Sequence, residues 1–176
     1  MEYISTRNTQ KTFSFKDVFL KGLAPDGGLF VPKKIPLYTS QELEKLRNLS
    51  YNALATKIIL KFCSDEFNEI EIKDLVKNSY KNFRVNDVVV IKKLGKVNLL
   101  ELFHGPTLAF KDIAMQVIGN MYEKILKKNN LKINVVVATS GDTGAAAISA
   151  IKDRNNMNWT SRLLIDTLPG CEAVIM

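Results

Sequence analysis

A single lysine, Lys111, falls near the junction of a strand and a helix in the run ELFHGPTLAFKDIAMQ, residues 101–116. Leu99, Leu100, Leu102 and Phe103 read as a buried strand, and Gly105-Pro106-Thr107 forces a turn before the helix opens. An apolar, partly dry setting beside Phe110 would favour the neutral amine and free it to attack a carbonyl, as a Schiff-base lysine requires. The competing reading is a solvated surface charge, which is what most lysines are.

A second stretch with chemical potential is ATSGDTGAAAI, residues 138–148. Ser140-Gly141-Asp142-Thr143-Gly144 follows an apolar run and opens a small-residue helix, Ala145 to Ile151, whose alanines let backbones approach. Such a helix start presents N–H groups and a positive dipole end to an anion. Ser, Asp and Thr before a helix are equally ordinary caps, and the stretch matches neither a Walker sequence nor a dinucleotide fingerprint. Asp142 would repel an anion unless turned inward to order the loop. A lone histidine beside a strand end is more often hydrogen-bonded structure than a proton shuttle, and His104 is left unassigned; Asp112 reads as a cap of the helix after Lys111, and Pro106 and Thr107 as shapers of the turn.

These segments need a scaffold, and the punctuation of the chain describes one. Residues 1 to about 82 read as mostly helical. Ser14 caps a helix from Phe15, with Asp17 completing a capping-box-like pair, Phe13 and Val18 at staple positions, and Gly22 ending it. Thr39 with Glu42 repeats the capping pattern, and Ser50 starts a segment in which Leu54, Ile58 and Phe62 recur every four residues. A further helix is expected between Glu69 and Lys81, and residues 83–87 form the expected domain boundary. From Asp87 the pattern turns to β, with Val88–Leu94 and Val97–Phe103 paired as a hairpin around Gly95. After Lys111, Ile113, Val117, Met121 and Ile125 stripe one helix face, and Lys124, Lys127 and Lys128 gather near the C-terminus that favours cations. Ile133–Thr139 is a continuous apolar run of the kind a fully buried parallel strand shows, so an α/β domain begins here.

Composition narrows the function classes. A hydrophobic content of 46% suits a globular core. No apolar segment follows Met1 and no aliphatic run is long enough to span a bilayer, so a cytoplasmic chain without membrane attachment is expected. Two cysteines, Cys63 and Cys171, make no disulfide framework, and one histidine supports no clustered metal site. The formal charge of +7 comes from 25 basic residues spread along the chain, 20 of them lysine, without an arginine–aromatic stripe. Nucleic acid is not an expected partner. The excess charge is compatible with attraction of a phosphorylated substrate, although a solvated lysine-rich surface explains it as well.

The Phe110-Lys111-Asp112 string closely resembles the pyridoxal-phosphate lysine segment of threonine synthases, and ATSGDTGAAAI resembles the next motif of that family at the expected separation. YISTR (residues 3–7) and GLAPDGGLFVP (residues 22–32) resemble the family's opening. The resemblance covers about residues 1–157. It implies an α/β fold: a mostly helical N-terminal domain over residues 1–82, then the start of a tryptophan synthase β-like parallel-sheet domain, the pyridoxal-phosphate fold type II, over 83–157. It further implies that Lys111 carries pyridoxal 5'-phosphate and that the SGDTG loop, through Ser140, Gly141 and Thr143, holds the carboxylate or phosphate of a small phosphorylated amino-acid substrate. Arg7, inside the opening motif, reads as a structural ion-pair partner rather than a substrate clamp. The implied reaction converts O-phospho-L-homoserine and water to L-threonine and phosphate.

Residues 158–176 do not match the family's continuation and read as a divergent end, a shifted frame or a splice product. The chain therefore reads as truncated, with little or no activity, and an unfinished sheet edge at Ile133–Thr139 is expected to promote self-association or aggregation. Two alternatives stand beside the synthase reading: a non-catalytic interaction module derived from it, and a related lyase acting on another phosphorylated hydroxy amino compound.

Overall fold

The computed structural model describes residues 1–139 and 141–163. The chain divides into two compact units, Met1–Val76 and Lys77–Met176.

In the first unit the capping signals act as the residues dictate. Ser14 caps α1 (Phe15–Lys21) by accepting from the Asp17 N–H, and Gly22 closes it. Thr39 and Glu42 form a reciprocal capping box at α2 (Ser40–Leu46), and Ser50 caps α3 (Tyr51–Cys63). The helix expected from Glu69 is α4 (Glu69–Tyr80), which runs past the division between the units. The mostly helical reading of this region overlooked one feature. Tyr3–Ser5 (β1) pairs antiparallel with Phe30–Pro32 (β2), in register Tyr3↔Pro32 and Ser5↔Phe30. Strands of three residues joined across so long a loop leave almost no periodic trace, and side chains rather than propensity hold them. Asp26 Oδ1 accepts from the Ser5 hydroxyl at 2.7 Å and from the Gly28 N–H at 2.9 Å. The Arg7 guanidinium donates to the Asp26 backbone carbonyl at 3.1 Å, a structural contact made through a backbone oxygen where the sequence predicts an ion pair. A Cβ on Gly28 would strike the Ser5 hydroxyl, so this position admits only glycine. The bonds from Ser5 and Gly28 hold the Asp26 carboxyl below the usual range.

Tyr3 anchors this small sheet to α3 by donating its hydroxyl to the Phe62 carbonyl at 2.6 Å. Burial pushes the Tyr3 hydroxyl up to about 12, helped by Cys63 and Asp65, and burial pushes the Cys63 thiol up to about 12 as well.

In the second unit, β3 (Val90–Leu94) and β4 (Val97–Glu101) form the expected hairpin, with Leu94↔Val97 closing a two-residue loop and Gly95 at φ 61 supplying its left-handed first position. The strand before Lys111 is not buried, contrary to the sequence reading: Leu99, Leu100 and Phe103 are about half exposed, and Glu101 is the residue of β4 that is buried. A two-stranded hairpin has no third strand to cover its leucines. The amphipathic α5 (Asp112–Lys128) buries Val117, Met121 and Ile125 as its stripe predicts. It packs against α6 (Asp142–Ile151), where a Cβ on Gly119 would stand 2.5 Å from the Ala150 carbonyl oxygen, so glycine sets the close approach of the two helices.

β5 (Ile133–Thr139) buries Val135, Val137 and Thr139, whereas Asn134 and Val136 are exposed, so the run is covered on one face rather than both. The expectation of a single parallel strand is corrected by Met157–Leu163 (β6), which pairs parallel with β5 from Ile133↔Met157 to Thr139↔Leu163. Strand β6 reaches past the family-like segment, and its sequence, MNWTSRL, alternates too weakly to announce a strand. No helix among the described residues is long and apolar enough to cross a membrane.

The first unit makes a pH-dependent prediction. The folded unit holds the Tyr3 and Cys63 protons more tightly than the unfolded chain, so their contribution is whole below pH about 9 and is lost as pH rises towards about 12. Tyr3→Phe, which orphans the Phe62 carbonyl, should cost about 1–2 kcal/mol in urea unfolding at neutral pH and reduce the alkaline loss. Peptide-mapped alkylation should leave Cys63 unmodified until denaturant is added.

Candidate functional site

The turn that presents Lys111 is built on a buried carboxylate. Asp112, fully excluded from solvent, accepts from the Thr107 N–H at 2.7 Å and from the Thr107 hydroxyl at 2.9 Å. Gly105 lies against it, since a Cβ there would sit 2.5 Å from Asp112 Oδ2. Asp112 thus ties the turn together, where the sequence reading offered it as a helix cap. Within the turn, Leu108 takes φ 64, a left-handed conformation costly for a bulky residue and typical of backbone whose surroundings over-determine it. The chain emerges with Lys111 as the N-cap residue of α5. Lys111 is partly buried, with its amine 5.6 Å from the centre of the Phe110 ring. Phe110 itself is 61% exposed, so it builds no dry wall on that side.

The Lys111 amine donates to the Thr143 hydroxyl. Thr143 is the second residue of α6, so the contact joins the N-termini of α5 and α6 and brings together side chains 32 positions apart. Gly141 is the N-cap of α6, and its N–H donates to the Thr139 hydroxyl at 3.3 Å. Asp142 is exposed in the first turn. Ser140 lies outside the described residues.

Thr139 is the participant that sequence reasoning missed. It is buried at the end of β5, its hydroxyl accepts from the Gly141 N–H, and a Cβ on Gly144 would collide with its methyl group. A Thr two residues before a glycine at a strand end is the available signal, because its hydroxyl can accept from the backbone two residues on. His104 stands outside this cluster. Its Nε2 lies 3.1 Å from Glu101, whose other oxygen meets Lys92 at 2.7 Å, and its carbonyl accepts from the Arg84 N–H. Lys92 foremost, with His104, holds the Glu101 carboxyl below the usual range. These contacts give His104, which the sequence leaves unassigned, a hydrogen-bonded structural setting. Among the described residues no cluster of three or more His, Cys, Asp or Glu side chains could hold a metal ion.

Chemically, the cluster offers one partly buried primary amine, a hydroxyl in contact with it, and two adjacent helix N-termini. A primary amine condenses with an aldehyde, and helix N-termini attract anions, so this donor set fits a cofactor bearing an aldehyde and a substrate bearing carboxylate or phosphate. Asp112→Ala should cost about 2–4 kcal/mol, because it leaves both Thr107 donors without their buried acceptor, and Asp112→Asn, which keeps an acceptor, should cost less. Chemical denaturation of the two variants checks the order.

Comparison with known proteins places these features in context. Residues 2–80 match the family model described as the threonine synthase N terminus. Threonine synthase from Pseudomonas aeruginosa is 39% identical over 159 residues, an alignment covering 90% of this chain and 34% of that protein. The Schizosaccharomyces pombe threonine synthase is 42% identical, covering 90% of this chain and 33% of that protein. Among solved structures, the PLP-bound threonine synthase from Brucella melitensis superposes with a TM-score of 0.87 at 38% identity, over 92% of this chain and 35% of that one. Yeast threonine synthase superposes with the same TM-score, over 91% of this chain and 35% of that one. The chain spans about a third of the length of the relatives it matches.

Proposed function

Because this chain is similar in sequence and in fold to the N-terminal third of threonine synthases, we propose that it is the lysine-bearing part of a pyridoxal-phosphate-dependent lyase that converts O-phospho-L-homoserine and water to L-threonine and phosphate. The observation that carries this reading is the hydrogen bond from the Lys111 amine to the Thr143 hydroxyl, which unites the two segments that resemble the family's lysine and SGDTG motifs. The family match over residues 2–80 supports reading residues 1–82 as the N-terminal domain, and residues 83–157 are read as the start of the cofactor domain, whose sheet strand β6 continues to Leu163.

Lys111 Nζ would hold pyridoxal phosphate covalently. Bound there, the cofactor supplies an electron sink for charge developing on substrate carbon. The Lys111 amine would also be the group that moves protons to and from the α, β and γ carbons of the substrate. Gly141 and Thr143, at the start of α6, together with Ser140 of the same SGDTG segment, would receive the carboxylate or phosphate; the N–H groups and dipole of the helix start stabilise negative charge as it develops. Asp112 takes no part in these transfers, since its oxygens are occupied by Thr107. Compartment follows the sequence reading, a cytoplasmic chain.

The chain alone is expected to turn over little or no substrate, so cofactor capture is the sharper test. Wild-type protein mixed with pyridoxal phosphate should develop the visible absorbance of a lysine adduct, and Lys111→Ala should lose it. Equal bands in both would remove the reading. Phosphate release from O-phosphohomoserine, followed in parallel, should stay at background in Lys111→Ala.

A second expectation concerns assembly. Among the described residues β5 pairs with β6 alone, and Val136 is half exposed, which supports self-association through β5. Sedimentation velocity should show mass rising with concentration, and a Val136→Lys variant should shift the distribution towards monomer. A concentration-independent monomer would contradict it.

A further inference from the structure

We propose that Thr143 is a positioning residue for Lys111, its hydroxyl holding the amine at the start of α6, a role that rests on the reading of Lys111 as the cofactor lysine. The geometry assigns it this part. The Lys111 amine donates to the Thr143 hydroxyl, while the nearest carboxylate in sequence, Asp112, is turned into the preceding turn and bound to Thr107. A hydroxyl suits the task better than a carboxylate would. It accepts from an ammonium and can donate to the lone pair of a neutral amine, so it keeps hold of the lysine in both protonation states. A carboxylate would stabilise only the ammonium, the form that cannot attack a carbonyl.

Three features limit where the hydroxyl can sit. Threonine is β-branched, and within a helix its χ1 is confined to two rotamers. The next residue, Gly144, sits so close to the Thr139 methyl group that no side chain fits between them, which seats the first turn of α6 on the end of β5. Gly119 lets α5 approach the Ala150 carbonyl, which sets the two helices close enough for their N-terminal side chains to meet. The Lys111 amine therefore adopts a defined place before any cofactor arrives, and part of the ordering cost of covalent capture is met in advance.

The test uses the full chain, Thr143→Val, which keeps the shape and removes the hydroxyl, and Thr143→Ser, which restores it. Without cofactor, near-freezing 1H–15N spectra of side-chain ammonium groups should show a slowly exchanging Lys111 signal in wild type and Thr143→Ser that is lost in Thr143→Val. With pyridoxal phosphate, the rate of adduct formation at Lys111 should fall about tenfold in Thr143→Val, the equivalent of one hydrogen bond, and stay within about twofold of wild type in Thr143→Ser. Matching thermal melts show that the variants fold. An unchanged Lys111 signal in Thr143→Val overturns the proposal, since the valine cannot hold the amine. A lost signal with an unchanged rate also overturns it, because the contact would then position nothing. Absence of any wild-type adduct at Lys111 instead defeats the cofactor reading, and the cofactor-free spectra still report separately on the contact.

Discussion

The site hangs on one buried carboxylate. Asp112 has no access to solvent, and burying a carboxylate is costly unless donors surround it; Thr107 supplies two, from its backbone and its hydroxyl. That constraint propagates. Gly105 must lack a side chain because Asp112 occupies its Cβ position, Leu108 within the turn takes φ 64, and the chain leaves the turn with Lys111 as the N-cap of α5. The lysine is thus presented by a turn that Asp112 ties together through Thr107.

The partner of that lysine arrives by a separate route. β5 ends in buried Thr139, whose hydroxyl and methyl group organise Gly141 and Gly144, and α6 begins there with Thr143 towards Lys111. Between them, the glycine at 119 decides how near the two helices lie. Side chains 32 residues apart thus meet because three small-residue positions, Gly105, Gly119 and Gly144, remove atoms where the packing has no room for them.

Local rules were readable in advance wherever one segment decides its own structure. Ser14, Thr39 and Ser50 announced three helix starts because a cap is a contact between neighbours in sequence, and the stripe through Val117, Met121 and Ile125 announced α5 because burial has the helical period. Lys111 and Thr143 were legible as types in suggestive settings, although their contact was not, because it depends on the packing of α5 on α6. The failures are non-local too. β1 and β2 exist through the Asp26 bridge, β6 through pairing with β5, and the burial expected of Leu99 and Leu100 fails because an apolar run specifies that it should be covered, not that something covers it.

The most direct measurement is a peptide map of the chain after incubation with pyridoxal phosphate and reduction with borohydride. The account predicts one dominant modified peptide containing Lys111, with the remaining 19 of the 20 lysines labelled at background. Label scattered across the lysines, with Lys111 no more modified than its exposed neighbours, would contradict the claim that this fold presents Lys111 as a cofactor lysine.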